Sequence, residues 1–444
     1  MTVKEPALRE IILDILLEVL EKGKYSHVIL SQALTKYQYL EKQDRSFIKR
    51  VVDGTVEYLI QIDYIINSYS KVKVNKMKPV IRTILRMSVY QICHMDRVPD
   101  SAACNEAVKL AEKRGFSGLK GFVNGVLRSI SRGKADLKFP NDSVRYSVPE
   151  WLLAMWKKSY GEETLRVMLE SLLTERPLTA RCCLNKAGKQ QIIESLTAQG
   201  VTVEDSRYAS DVIRLRGVDY LESLDAFRQG LLQIQDLSSS LAGDAAGIKE
   251  GDYVIDVCGA PGGKGLHAAD ILNGTGMVEI RDISDAKAAM IEENIARSGL
   301  GNVRAAVFDA LTFDKASEEA ADVVIADLPC SGLGIIGRKP DIKYNMTPGK
   351  LHELACLQRE ILSVVHRYVK PGGTLVYSTC TVNREENEEN MRWFMEQFPF
   401  EPVNIKGRLG EELAEPTMES GYIQFLPGVH PCDGFFIAVM RRKQ

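Results

Sequence analysis

From Asp252 onward, short apolar runs alternate with stretches of helical period, and few architectures accommodate that alternation. Runs at 253–257, 277–281, 303–307, 322–326, 374–377 and 435–440 read as strands. Stretches at 263–271, 286–298, 349–369 and 385–397 read as helices. The pattern predicts an α/β, Rossmann-like domain with a doubly wound parallel sheet. In such a sheet a residue just past the carboxyl end of a strand faces the crevice where ligands bind.

Two of those strand ends carry cysteine: Asp327-Leu-Pro-Cys-Ser-Gly332 and Ser378-Thr-Cys-Thr381. The fold would bring Cys330 and Cys380 to one rim of one sheet. A thiol there is a candidate nucleophile, because thiolate forms more readily than alkoxide near neutral pH. Each alone also suits a small buried core residue. As a pair at strand ends, one of them preceded by an acidic residue and a proline, they point to chemistry.

At 444 residues the chain predicts two or three domains. No apolar run approaches the roughly 18 residues of a membrane span. The opening Met1-Thr-Val-Lys-Glu-Pro6 lacks the charged-then-apolar pattern of a secretory signal. Nine cysteines, none spaced as a CxxC pair, argue against a disulfide framework or a zinc site. The expectation is a cytoplasmic protein with no metal. The net charge of −2 hides an asymmetry: residues 1–140 hold 24 Lys and Arg against 15 Asp and Glu, and the rest is acidic. A basic front half suits an anionic partner, and equally an ordinary solvated surface.

Residues 5–134 read as helical throughout. Ile11, Ile12, Ile15, Leu16, Val19 and Leu20 recur at helical spacing, as do Phe47, Ile48, Val51, Val52, Val56 and Ile60. Val80, Ile81, Ile84, Leu85, Met87 and Val89 follow Pro79, which a first helical turn tolerates. Two further helices flank the breaker Gly115-Phe-Ser-Gly118. The stretches Asp44-Arg-Ser-Phe-Ile-Lys-Arg50, Val98-Pro-Asp-Ser-Ala-Ala-Cys-Asn-Glu-Ala-Val108 and Gly121-Phe-Val-Asn-Gly-Val-Leu-Arg128 resemble the NusB-like helical domain, an RNA-binding module. The run Lys71-Val-Lys-Val-Asn-Lys-Met-Lys78 suits a phosphate-facing edge or a solvated loop.

Residues 131–146, with Gly133 and Pro140, read as a linker. Helical stretches from Val148 and near 163–173 come next. A strand, a helix near 189–199 and a strand at 212–215 then form a small α+β module. The expected division is 1–137 for the NusB-like domain, 145–235 for linker helices and module, and 236–444 for the α/β domain.

Asp256-Val-Cys-Gly-Ala-Pro-Gly-Gly-Lys-Gly265 joins the first strand of that domain to its first helix. Glycines there allow close backbone approach, and a helix N-terminus favours negative charge. Pro261 spoils a GxGxxG dinucleotide fingerprint, and Gly265 follows Lys264 where a P-loop needs Ser or Thr. Asp282 ends the second strand, where a carboxylate accepts from a ribose diol. Asp309 ends the third and suits an adenine amino group. Each alone is a common turn former. Together they describe a nucleoside cofactor without a long phosphate tail, which points to S-adenosylmethionine.

The ordered set Gln235-Asp-Leu-Ser-Ser-Ser240, the 258–264 loop, Asp327-Leu-Pro-Cys-Ser-Gly332 with Arg338-Lys-Pro-Asp-Ile-Lys343, Tyr377-Ser-Thr-Cys-Thr381 with Glu386-Asn-Glu388, and Pro427-Gly-Val-His-Pro-Cys-Asp-Gly-Phe-Phe436 resembles the RNA 5-methylcytosine methyltransferases of the bacterial Sun/Fmu type. With the NusB-like front, the resemblance covers nearly the whole chain. It implies methyl transfer to carbon 5 of a cytosine in 16S ribosomal RNA, cytosine 967 for this type, by a monomer acting on free RNA or an early assembly intermediate. It implies Cys380 as nucleophile, Asp327 as the group stabilising the base and Cys330 as the group assisting product release. It also implies cofactor contacts from Cys258, Gly259, Ala260, Pro261, Gly262, Gly263, Lys264, Asp282, Asp309 and Asp327. Lys343 and Arg338 suit phosphate contacts or plain surface. The motif pattern is departed from at Gly259 (usually Ala), Gly265 (often Ser or Thr) and Arg281 (usually apolar), the last expected to loosen the cofactor pocket. The Arg-x-Asn strand of the family is stretched here to Arg181 and Asn185, so no role passes to either. Alternatives are the same chemistry on tRNA or large-subunit RNA, and a non-catalytic RNA-binding or transcription factor; intact Asp327, Cys330 and Cys380 speak against the latter.

Overall fold

Helical periodicity in the first 130 residues becomes α1 (Leu8–Leu20), α2 (Ser26–Lys36), α3 (Lys42–Glu57), α4 (Leu59–Tyr69), α5 (Pro79–His94), α6 (Asp100–Lys113) and α7 (Lys120–Gly133). The computed structural model describes residues 7–174 and 176–444. Residues 5 and 6 of the expected helical span, and the opening Met1-Thr-Val-Lys-Glu-Pro6, therefore lie outside the described residues. The apolar stripes meet in one core in which Ile12, Leu16, Ile48, Val52, Ile65, Ile84, Leu85 and Leu127 are fully covered. Glycine is required at Gly54 of α3, where an added Cβ would lie 2.0 Å from the Tyr90 ring. The 71–78 lysines face solvent on a loop held by buried Val74 and Met77.

The expected linker is structured. After α7, Leu137 and Phe139 pack on the helical core, and Asn141 caps α8 (Asp142–Tyr146) by accepting from the Val144 N–H at 3.0 Å. Polar composition signalled a linker here, but Ser143 and Tyr146 are buried. α9 (Glu150–Leu172) joins the two helical stretches read from the sequence, with a break at Gly161 (φ 82°, ψ 172°) that a side chain would resist.

The compact unit formed by these helices runs from Met1 to Leu173 and includes a distant piece of chain, Arg338–Asn345. Asp341 accepts from the Ser26 backbone N–H (3.0 Å) and hydroxyl (2.6 Å) at the start of α2. Lys343 is 2% exposed and donates to the Glu57 carbonyl at 2.8 Å. Tyr344 hydroxyl lies 3.0 Å from Ser147 Oγ. Lys343 is therefore a buried structural group, not a phosphate contact; Arg338 is exposed.

The second unit, Thr174–Gly337 with Met346–Gln444, holds two sheets. β1 (Leu178–Cys182), β2 (Thr202–Asp205), β3 (Val212–Arg216) and β4 (Leu232–Ile234) form an antiparallel sheet in the order β2-β3-β1-β4, with α10 (Lys189–Ala198) and α11 (Asp225–Arg228) between strands. Next come α12 (Leu237–Ala246), β5 (Tyr253–Asp256), α13 (Gly263–Leu272), β6 (Met277–Asp282), α14 (Asp285–Ser298), β7 (Val303–Val307), β8 (Ala321–Asp327), β9 (Val369–Thr379), β10 (Phe400–Pro402), β11 (Tyr422–Phe425) and β12 (Phe435–Arg442). Helices Pro348–Val365 and Glu388–Gln397 flank β9 in sequence.

The large sheet runs β10-β12-β9-β8-β5-β6-β7, with β11 on β12. From β7 to β9 every pairing is parallel, but β12 is antiparallel to β9 and to its neighbours β10 and β11. The doubly wound parallel sheet expected from the sequence is present from β7 to β9, and the sequence did not show that β12 adds to it antiparallel. β12 follows β11 through a loop without a crossover helix, and a short connection reverses strand direction. Alternate residues feed two cores: Val254, Val278, Ile280 and Ile325 on one face, Ile255, Val324, Leu375 and Tyr377 on the other. The chain winds outward from β5 to β7 and returns on the far side of β5 at β8, which makes the β5–β8 boundary the switch point.

Two measurements follow. Asp341→Ala leaves the first-turn donors of α2 unmet and should cost about 1–3 kcal/mol, seen as faster amide exchange at Ser26–Lys36. Burial pushes the Lys343 ammonium down from 10.5 to about 7. Between these values the unfolded chain holds a proton that the folded one lacks, so stability should rise with pH across that window. Lys343→Met should flatten the slope in denaturation of the intact protein followed by helical circular dichroism.

Candidate active site

Three loops meet at the switch point. The first leaves β5 at Asp256, turns through the cis Ala260–Pro261 peptide and Gly262 (φ 111°), and enters α13. Its Ala260 N–H donates to Asp282 Oδ2 at 3.0 Å. Asp282, at the end of β6, also accepts from the Ile283 N–H (2.8 Å) and Lys287 Nζ (2.9 Å). The second follows β8, whose terminal Asp327 accepts from Lys264 Nζ at 2.6 Å and from Ser378 Oγ at 2.7 Å. The third carries Cys380 after β9. Parallel register pairs Asp327 with Ser378, so the residues that follow converge: Cys330 Sγ and Cys380 Sγ lie 3.3 Å apart.

A pocket of about 330 Å³ is lined by Cys258, Asp282, Asp309, Asp327, Cys330 and Cys380. Ala260, Ile283, Phe308 and Leu311 add to its walls. Ile283 is 59% and Leu311 41% exposed at this pocket, which leaves apolar surface for a ligand to cover. Gly259, Pro261, Gly263 and Lys264 instead line a second pocket of about 260 Å³, shared with Ala260, Asp327 and Gln235. Gly262 lines neither and serves the turn. A nucleoside with a short charged tail fits this arrangement: carboxylates at two adjacent strand ends, apolar walls beside them, and a glycine loop running to a lysine.

Local charges are strongly perturbed. Asp256 is fully buried, and among the described residues neither of its oxygens has a well-placed hydrogen-bond donor. Desolvation raises it to about 7 against the pull of Lys264. Burial, with Asp256 and Asp282 nearby, pushes the Cys258 thiol well up, which disfavours its thiolate. The Cys330 thiol is also pushed well up, first by its hydrogen bond to Cys380 and then by burial.

The three departures from the motif pattern have structural causes. A Cβ on Gly259 would lie 2.3 Å from Ile280 Cγ2, and one on Gly265 would lie 2.4 Å from Ile280 Cγ1. One side chain from β6 fills the room that both glycines leave. Arg281 points to the other face of β6, where it pairs with Glu279 at 2.5 Å and Asp314 at 3.1 Å. It stacks 5.0 Å from the centre of the Phe308 ring, itself a wall of the pocket. The residue expected to loosen the pocket braces it.

Sequence reading left two features without a role. Arg181 is 1% exposed and pairs with Asp270 of α13, tying the small sheet to the domain core. Glu386, fully buried between the cysteine loops, shows in the sequence only as one letter of a longer motif. Gly265→Ala should destabilise by about 1–3 kcal/mol through overpacking, and Ile280→Ala in the same chain should recover part of that loss. A thermal-melting double-mutant cycle should give a coupling of at least about 0.5 kcal/mol.

Three family models match the chain: 16S rRNA methyltransferase RsmB/F over residues 246–441, the NusB family over 6–132, and the RsmF/B-like ferredoxin-like domain over 148–219. The crystal structure of PH0851 superposes with a TM-score of 0.82 at 25% identity, covering 99% of this chain and all of the other. NSun6 from Pyrococcus horikoshii, solved with SFG, shares the fold (TM-score 0.60, 22% identity, 67% of this chain and 98% of that one). A probable ribosomal RNA small subunit methyltransferase B of Synechocystis is 30% identical over 98% of this chain and 99% of its own. The protein of the same description in Bacillus subtilis is 37% identical over 99% of this chain and its own full length. The chain belongs to the ribosomal RNA small subunit methyltransferase B family.

Proposed function

We propose that this protein methylates carbon 5 of a cytosine in 16S ribosomal RNA, with Cys380 as the covalent nucleophile. The observation that carries the reading is the 3.3 Å approach of Cys380 to Cys330 in a pocket that Asp327 also lines. S-adenosylmethionine, the cofactor of this family, supplies an electrophilic methyl group when bound. Asp282 and Asp309 would take its nucleoside end, with Cys258 and Ala260 beside them. Gly259, Pro261, Gly262, Gly263 and Lys264 form the turn and the charged end of the loop.

Carbon 5 of cytosine is a weak nucleophile. Addition of the Cys380 thiolate to carbon 6 forms a C–S bond and moves the ring's π pair toward carbon 5, which can then take the methyl group. Asp327, aimed by Ser378, would hydrogen-bond or protonate the base at N3 with a proton drawn from the Lys264 ammonium 2.6 Å away, and so stabilise the charge that builds there. Carbon 5 must then lose its proton before the C–S bond can break. Cys330 is the neighbouring sulfur that would assist that release, as a base once Cys380 is bonded to the ring or by steering one.

The division of labour we propose is 1–137 for RNA binding, 145–235 as connecting helices and module, and 236–444 for catalysis. The contact pattern groups the helices up to Leu173 with the first unit. The working form would be a cytoplasmic monomer without a metal, acting on free 16S RNA or an early assembly intermediate, at cytosine 967. Among the described residues no helix is long and apolar enough to cross a membrane. A target in folded RNA has to be unstacked to reach the pocket, which favours a loop or an end.

The test is transfer of labelled methyl to unmodified 16S RNA, with tRNA and 23S RNA as comparison pools. Cys380→Ala should lose roughly a thousandfold or more, the scale of losing a covalent nucleophile. Cys330→Ala should accumulate an RNA adduct that survives denaturation. Full activity in Cys380→Ala would overturn the mechanism, and preference for another RNA pool would overturn the substrate.

A further inference from the structure

A carboxylate sits under the two cysteine loops with no part in the chemistry above. Glu386 is 0% exposed. Its Oε2 accepts from the Ser331 backbone N–H at 2.8 Å and from Gln358 Nε2 at 3.0 Å. Its Oε1 accepts from Ser331 Oγ at 2.5 Å and from Asn383 Nδ2 at 3.1 Å. All four partners are neutral donors, so the group is held by hydrogen bonds rather than by a cation. Both oxygens are needed as acceptors. In either orientation a glutamine would turn its NH₂ toward an N–H donor, the Ser331 backbone and Gln358 on one side or Asn383 on the other, so a neutral isostere replaces it poorly.

Those bonds fall where the loops must be joined. Ser331 directly follows Cys330, and Thr381 directly follows Cys380. Ser331 Oγ lies 2.7 Å from Thr381 Oγ1 while it donates to Glu386. Gln358, from helix Pro348–Val365, also donates to the Pro329 carbonyl at 2.9 Å. Tyr377, in β9, donates to the Glu386 carbonyl and lies 3.0 Å from Gln358 Oε1. The carboxylate thus fastens one cysteine loop by its backbone and, through Ser331, reaches the other. Asn387 continues the clamp, accepting from Thr379 Oγ1 at 2.5 Å and donating to the Thr381 carbonyl at 3.0 Å.

We propose that Glu386 is a positioning residue that sets the separation of Cys330 and Cys380 by locking Ser331 against Thr381. This rests on the assignment of the two cysteines above. Attack and proton removal occur on adjacent ring atoms, so one adduct must lie within reach of both sulfurs. A shift of about 1 Å in one loop would cost on the order of a hundredfold in rate.

The test pairs a readout of thiol distance with one of turnover. Diamide takes two electrons and two protons from a pair of neighbouring thiols and leaves a disulfide. Formation of the Cys330–Cys380 link can be followed by peptide mass in protein never exposed to RNA. Glu386→Gln should slow that link at least about tenfold and lower kcat about 10–100-fold, with KM for RNA and cofactor within about twofold. Glu386→Asp, which keeps both acceptor oxygens, should recover part of both losses. Ser331→Ala, which removes the bridge but leaves the carboxylate, should slow the link in the same direction. A wild-type linking rate in both Glu386→Gln and Ser331→Ala would overturn the proposal. So would equal losses in Glu386→Asp and Glu386→Gln, which would mark a role in folding alone. The linking rate needs no catalysis, so it reports on the clamp even if the assignment of Cys380 fails.

Discussion

The parallel pairing of β8 with β9 is the constraint on which the site depends. With Asp327 set opposite Ser378, the two loops that follow must run side by side, and the sulfur three residues after Asp327 meets the sulfur two residues after Ser378. A slip of one residue would turn every side chain of β9 to the other face. Fully covered Val376 and Tyr377, packed into opposite cores, fix that register from both sides.

Much of this was legible in the sequence because it depends on local patterns. Strand runs ending in Asp282, Asp309, Asp327 and Cys380 could be read directly, and a doubly wound topology brings strand ends together whatever the details. Features that depend on distant partners were hidden. Lys343 looks like a surface lysine next to a proline-containing motif, yet its partner is a carbonyl in α3, far away in sequence. Nothing at Gly259 or Gly265 announces that Ile280 fills both spaces. Arg281 reads as an intrusion until Glu279 and Asp314 are seen beside it. The direction of β12 was missed because a strand's residues do not encode which way its neighbour runs.

Charge is handled in different ways within the one domain. Around β6 the rule is pairing: Glu279 answers both Arg281 and Arg304. Glu386 is instead met by amide and hydroxyl donors, which hold a buried carboxylate without a counter-ion but tolerate little rearrangement. Among the described residues Asp256 has no well-placed donor, and it stays in place near Lys264 with its charge disfavoured. A paired, a clamped and an unanswered carboxylate therefore share one sheet and its loops, and each constrains a different part of the chain.

The docking of Arg338–Asn345 in the helical unit has a consequence for how the chain is made. The helices up to Leu173 leave the ribosome first, and the segment that completes them follows only after the first strands of the large sheet. At roughly 5–20 residues per second, the helical unit waits about ten to thirty seconds for Asp341 to be synthesised and to reach the start of α2. Residues Arg338–Asn345 then close onto helices that are already made. Birth order thus sets which side waits: the helices precede the turn that completes them and that emerges soon after Cys330.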